Sequence, residues 1–287
     1  MKSKELMKMN SRISRFVAAL ILGLFISLSC LQADAAERSW VKVRSGDEIP
    51  LAMSKNLDDC LDTVADLLTQ YHIYLSQPIT IIVTADADSY SKVLMSYGYS
   101  RQAAEQTAKN SAAVSLNNSP IIILKGTRTL TDNKQEIFRV VPHEIFHQVQ
   151  RQWGKLRTVT WMVEGAPELF RMKASEQAGL APGAVYLAVE QSRVKQAKAL
   201  PSAREIGNRD YQMFSSLSAK GYPVYAMSTL MMAKLVDQAG FDKVVYFYQQ
   251  LHHGVDPDKA FISVFRVPMI YFLDEMDRYF EELHKKI

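Results

Sequence analysis

Apolar side chains recur at helical spacing early in the chain: Leu57, Leu61, Val64 and Leu68 share one face, and Cys60 adjoins it. This predicts a core-packed helix over 54–75, with Pro78 ending the connection that follows. The pattern then changes. "ITIIVTAD" (79–86) is a β-branched run that predicts a buried strand, and "SYSKVLMSYG" predicts a short helix with Gly98 near its end. "SAAVSLNNSPIIILKG" (111–126) predicts two strands around Asn117-Asn118-Ser119-Pro120, the second, Ile121–Leu124, being strongly β-prone. From Thr131 a helical period takes over. Asp132 with Gln135 resembles a helix start, "EIFRVVPHEIFHQVQRQW" follows, and Gly154 marks its expected end. Pro142 lacks an N–H and disfavours helix at Val141, so either this helix kinks or a new one begins with Pro142 in its first turn. Beyond Gly165 nearly everything reads helical, including 185–199, 223–239, 241–252 and 269–285. The expected class is α+β, with a small mixed sheet in an N-terminal lobe (36–130) and a mostly helical C-terminal part (131–287).

The first 35 residues read as a segment apart from the fold. Lys2, Lys4, Lys8, Arg12 and Arg15 precede the apolar run "FVAALILGLFISLSCLQ", and Ala33-Asp34-Ala35 has the small-x-small form of a signal-peptide cleavage site. The expectation is an exported protein, secreted or held in the cell envelope or periplasm, whose mature chain starts near Ala36. The alternative is a lipoprotein anchored to a membrane at Cys30, where Ser27-Leu28-Ser29 supplies small residues but places the leucine one position late. Five Lys/Arg against Glu5 and Asp34 leave this segment at +3, so the whole-chain +4 falls to about +1 without it. No electrostatic footprint for nucleic acid is left. Cys60 is then the single cysteine of residues 36–287, which excludes an intramolecular disulfide there. Its place beside an apolar face reads as a buried thiol.

"VPHEIFHQVQRQW" (141–153) contains His143, Glu144 and His147 as H-E-x-x-H. Residues four apart lie on one helical face, so both imidazoles can aim at one point with Glu144 beside them. Zinc accepts neutral histidine nitrogens, and catalytic sites keep one position for water; a neighbouring carboxylate can take that water's proton and return it to the leaving amine. With six histidines and 14 glutamates, a shuffled chain would hold roughly 0.006 such matches. Across a proteome that still permits accidents, so a third ligand is the discriminating feature. "TWMVEGAPELF" (160–170) offers Glu164, 17 residues after His147, a distance that lets a second helix return antiparallel to the first.

H-E-x-x-H followed by W-x-x-E-G-x-x-E resembles the gluzincin zinc metallopeptidases, and within them the bacterial peptidase MA-like domains, related to thermolysin and the zinc aminopeptidases. The resemblance covers roughly 131–285. "YPVYAMSTLMMAKLVDQAG" and "AFISVFRVPMIYFLDEMDRYF" look like the closing helices of those domains. It implies a zincin-like catalytic domain over 36–287, with His143, His147 and Glu164 as Zn²⁺ ligands and Glu144 as the base that activates the zinc-bound water. Glu168, four residues after Glu164, would stand behind the metal and accept the outer N–H of a ligand histidine. Pro167 departs from the commoner pattern and is harmless if its helix starts near Val163. A tyrosine would donate to the oxyanion: Tyr225, 15 residues before Gly240 as in aminopeptidase-like relatives, or Tyr222, next to Pro223.

Other chemistry-bearing residues read as structural. His252-His253 before Gly254 suits a helix C-terminus, His72 reads likewise as structural, Trp153 and Trp161 suit helix packing, and "MSTLMMAKL" suits a core face. "SPIIILKG" or "NSAAVSLN" sits where the resemblance implies an edge strand that pairs with an extended peptide. The expectation is therefore a secreted zinc peptidase acting on a peptide or protein substrate. An endopeptidase is favoured over an aminopeptidase, since no G-x-M-E-N-like motif for a free N-terminus occurs. The competing expectation is a non-catalytic cell-envelope binding or assembly module on the same fold, against which the intact Glu144 weighs.

Overall fold

The computed structural model describes residues 38–46, 48–126, 133–154 and 159–285. The expected signal segment, Cys30, Thr131 and Asp132 lie outside the described residues. Residues 40–287 form one compact unit, an α+β structure of mostly helices around a four-stranded mixed sheet. Among the described residues no helix is long and apolar enough to cross a membrane.

The sheet has the order β1 (Val41–Ser45), β2 (Ile79–Val83), β4 (Ile121–Leu124), β3 (Ala113–Ser115). The first three are mutually parallel, and β3 runs antiparallel at the edge. Alternation along the strands divides the two faces. Ile122 and Leu124, with Ile79, Ile81 and Val83, enter the main core, whereas Ile121 and Ile123 pack with Tyr90 and Leu94 in a smaller cluster. Helices α2 (Ala87–Ser96) and α3 (Arg101–Asn110) supply that second cluster.

Helix α1 spans Leu51–Gln70 and buries Met53, Leu57, Cys60, Leu61, Val64 and Leu68, the face read from the sequence. It stops five residues short of the expected end. His72 turns left-handed at φ 53°, and the Ile73 N–H reaches back to Leu68 O at 2.8 Å while Ile73 itself is buried. A six-to-one bond of this kind closes a helix C-terminus, which accounts for His72 structurally. Strand β2 likewise ends at Val83, because Asp86 caps α2 through the Ser89 N–H.

Helix α4 runs Lys134–Gly154 without a break at Pro142, so no new helix begins at the proline. It begins with the Asn133 side chain accepting from the Glu136 N–H at 3.2 Å. The bond forgone at the proline is offset by burial of Phe138, Val141, Ile145 and Phe146 around it. Helix α5 (Thr160–Gln177) lies against α4. It starts three residues earlier than expected, which places Pro167 inside the helix rather than in its first turn. Then come α6 (Gly183–Gln196), α7 (Ala203–Ile206), α8 (Tyr211–Ala219), α9 (Val224–Ala239), α10 (Phe241–His252), α11 (Pro257–Phe265) and α12 (Met269–Lys285). Met227, Met231 and Met232 of α9 are buried in the core. Trp153 is also buried; Trp161 is fully buried and stacks on Phe272 of α12 at 5.5 Å. His252 and His253 close α10, as the helix-terminus reading expects.

Candidate metal centre

His143, Glu144 and His147 occupy the middle of α4, on the face turned toward β3 and the start of α5. Ser115 of β3 donates its hydroxyl to the Glu144 carbonyl at 2.9 Å, and Gln148 reaches Ser115 Oγ and Ile121 O. These bonds seat the helix under the edge strand. From the other side α5 brings in Glu164, which is buried. Its neighbour Gly165 permits this approach: a Cβ there would lie 2.5 Å from the Ser228 carbonyl oxygen of α9 and 3.0 Å from Met232 Cβ.

The three ligand candidates converge. Glu164 Oε2 lies 3.8 Å from His143 Nε2 and 3.7 Å from His147 Nε2, and the two rings meet edge-on at 4.7 Å between centroids. One ligand atom from each of the three lies within 4.8 Å of the others, so the group could hold a metal ion. Ligands of a tetrahedral ion bound at about 2.0–2.2 Å sit about 3.4 Å apart. The observed separations are a few tenths wider, and two neutral nitrogens with one carboxylate suit a borderline metal.

No protein-family model matches the chain, and no curated protein matches it.

Both candidate ligand histidines are held from behind. His143 Nδ1 lies 3.0 Å from Glu168 Oε1, the position expected of that carboxylate, and Arg171 Nε in turn hydrogen-bonds Glu168. His147 Nδ1 lies 2.9 Å from Gln150 Oε1, a residue that the sequence reading passed over. The electrostatics follow. Burial works against a charged His143, but Glu168, with Glu144 and Glu164 nearby, outweighs it and raises the His143 pKa to about 9. Burial would likewise raise Glu168; the His143 and Arg171 partners outweigh it and hold this carboxyl at about 2. Glu164 is carried by burial up to about 7, with Glu144 and Glu168 adding to the effect. Burial, then the His143 charge, pushes His147 well below its ordinary value. Glu144 is raised, again chiefly by burial.

The site opens into a cleft of about 510 Å³. Of the two tyrosine candidates, Tyr225 on the first turn of α9 lines it, 41% exposed, whereas Tyr222 packs against the core. Tyr211, unremarked in the sequence, also lines the cleft and stands beside Glu164 and Tyr225. Arg151 stands one helical turn beyond His147 and donates Nη2 to Ser115 O at 2.7 Å and to Asn117 Oδ1 at 3.3 Å. Of the strand candidates, Ala113–Ser115 is the edge, and β4 is paired on both sides. The Leu116 N–H donates to Ile121 O of β4, and the Ala112 carbonyl accepts from Lys125 just beyond it, so by alternation the backbone groups of Ala113 and Ser115 turn away from β4. Ala113, Val114 and Ser115 line the cleft.

Proposed function

We propose that the chain is an exported zinc peptidase of gluzincin type, cutting internal bonds of a peptide or protein substrate. The observation that carries this is the convergence of His143, His147 and Glu164 beside Glu144, in a cleft bordered by the outer strand β3. A structural metal would need no base, and Glu144 lines the cleft while standing outside the ligand set. Export rests on the form of residues 1–35.

His143, His147 and Glu164 would hold the metal, which when bound lowers the pKa of water and polarises a carbonyl. The chain supplies the rest. An extended substrate pairs with the outward backbone groups of Ala113 and the Ser115 N–H, while Arg151 already occupies the Ser115 carbonyl and ends that edge. Glu144 takes a proton from the attacking water and passes it to the leaving amine nitrogen; its burial-raised pKa suits it to both transfers. Tyr225 donates to the carbonyl oxygen as negative charge develops there, with Tyr211 beside it and Glu164.

The test is zinc content per chain by elemental analysis, in the purified protein and in Glu164→Ala. About one zinc in the parent and markedly less in the variant is expected. Hydrolysis of a peptide mixture should then fall about a hundredfold to ten-thousandfold in Glu144→Ala with zinc retained. A parent that takes up no zinc after reconstitution overturns the reading. Zinc without Glu144-dependent hydrolysis points instead to the binding-module alternative.

A further inference from the structure

Gln150 is buried between α4 and α5, and every polar atom of its amide is engaged. Nε2 faces Val163 O at 3.1 Å, Met162 O at 3.4 Å and Tyr248 Oη at 2.9 Å. The two carbonyls can only accept. Tyr248 spends its hydroxyl hydrogen on Met162 O at 2.7 Å, so its oxygen also faces Gln150 as an acceptor. Three acceptors on one side leave a single orientation for the amide: nitrogen toward α5 and α10, oxygen toward His147. Gln150 Oε1 has no hydrogen to give, so the 2.9 Å contact requires His147 Nδ1 to be the donor. A neutral imidazole with its hydrogen on Nδ1 carries its lone pair on Nε2, the nitrogen that points at Glu164.

The proline inside α5 belongs to the same device. Pro167 has no N–H for the carbonyl four residues earlier, which is Val163. Gln150 Nε2 bonds that carbonyl from the neighbouring helix. A break in the backbone ladder of the helix carrying Glu164 thus supplies an anchor for the residue that orients His147.

We propose that Gln150 is a positioning residue that locks His147 into the Nδ1–H tautomer, with Val163, Met162 and Tyr248 as its fixed anchors, so that Nε2 is presented to a metal before any metal arrives. This rests on the metal-site reading, but the tautomer is a property of the metal-free protein and can be read separately. The two histidines are then held by different means, His143 by a carboxylate and His147 by a neutral amide.

The experiment uses the purified protein, Gln150→Leu and Tyr248→Phe. The side-chain nitrogens of His147 are read by ¹⁵N NMR in the metal-free state above pH 7, and zinc affinity is read against a competing chelator. The parent should show protonated Nδ1 and unprotonated Nε2, and Gln150→Leu should lose that preference and bind zinc about 10–100-fold more weakly. Tyr248→Phe keeps the ring and removes one anchor; it should weaken zinc binding several-fold in the same direction, which keeps the test open should Gln150→Leu fail to fold. An Nε2–H His147 in the parent overturns the proposal. So does a zinc affinity unchanged in both variants. If the parent binds no zinc, the metal reading fails while the NMR result still decides the orientation of His147.

Discussion

At the scale of single residues, the chemistry turns on how burial and one neighbour act together on each group. His143 and His147 sit four apart on one helix, yet the pKa of one is raised and that of the other lowered, because burial depresses both, Glu168 outweighs it at His143, and at His147 the charge on His143 adds to it. A consequence follows for metal binding. A ligand imidazole must be neutral, so the proton that His143 holds up to about pH 9 has to leave when a metal binds. Affinity for zinc should therefore rise with pH about tenfold per unit between pH 7 and 9. Below about pH 7, where Glu164 also takes up a proton, the dependence should steepen. Calorimetry in buffers of different ionisation enthalpy should show about one proton released at pH 8. An affinity flat from pH 7 to 9 would mean that His143 is already neutral there.

The H-E-x-x-H spacing and Glu164 were legible in the sequence because they depend on helical period and chain length, both local. Gln150 was written equally plainly, three residues after His147, but an amide in a helix signifies nothing until Val163 and Tyr248 are seen against it. Tyr211 was invisible for the same reason, since α8 carries it to the cleft from 47 residues beyond Glu164.

At the scale of elements, close backbone approach decides how Glu164 is delivered. Gly165 brings α5 against α9 at a distance no side chain allows. Gly165→Ala should destabilise the protein by about 1–3 kcal/mol, seen as a lower denaturant midpoint with little change in slope. Because α5 must then shift, zinc affinity should fall with it; an unchanged midpoint would show that α9 can yield. The two internal prolines illustrate the limit of reading elements from rules. Each is unfavourable inside an isolated helix, and tertiary packing overrode both. Two elements gave no usable pattern. β1 is exposed along most of its length, and α3 buries only Ala104 and Ala108, so neither shows an apolar stripe.

At the scale of the whole molecule, the candidate ligands come from two helices that pack against each other, so metal binding should stabilise the folded chain as a unit. At free zinc a hundredfold above the dissociation constant the gain is about 2.7 kcal/mol. For a chain of this size that raises Tm by about 5–10 °C, reversibly with chelator. Glu164→Ala should abolish the shift, and an equal shift in that variant would place the metal elsewhere.

From residues alone came the periods of the elements, an α+β order with strands early and helices late, and three potential ligands at helical and inter-helical spacing. These depend on contacts between residues near in sequence or on a turn of limited length. Only the tertiary structure decided which strand is the edge, which tyrosine enters the cleft, and what stands behind each histidine. Those outcomes depend on β3 lying outside β4, on α9 meeting α5 at Gly165, and on Tyr248 of α10 reaching α4. Packing between distant segments is set by the shape and volume of the whole core, and no local spacing encodes it.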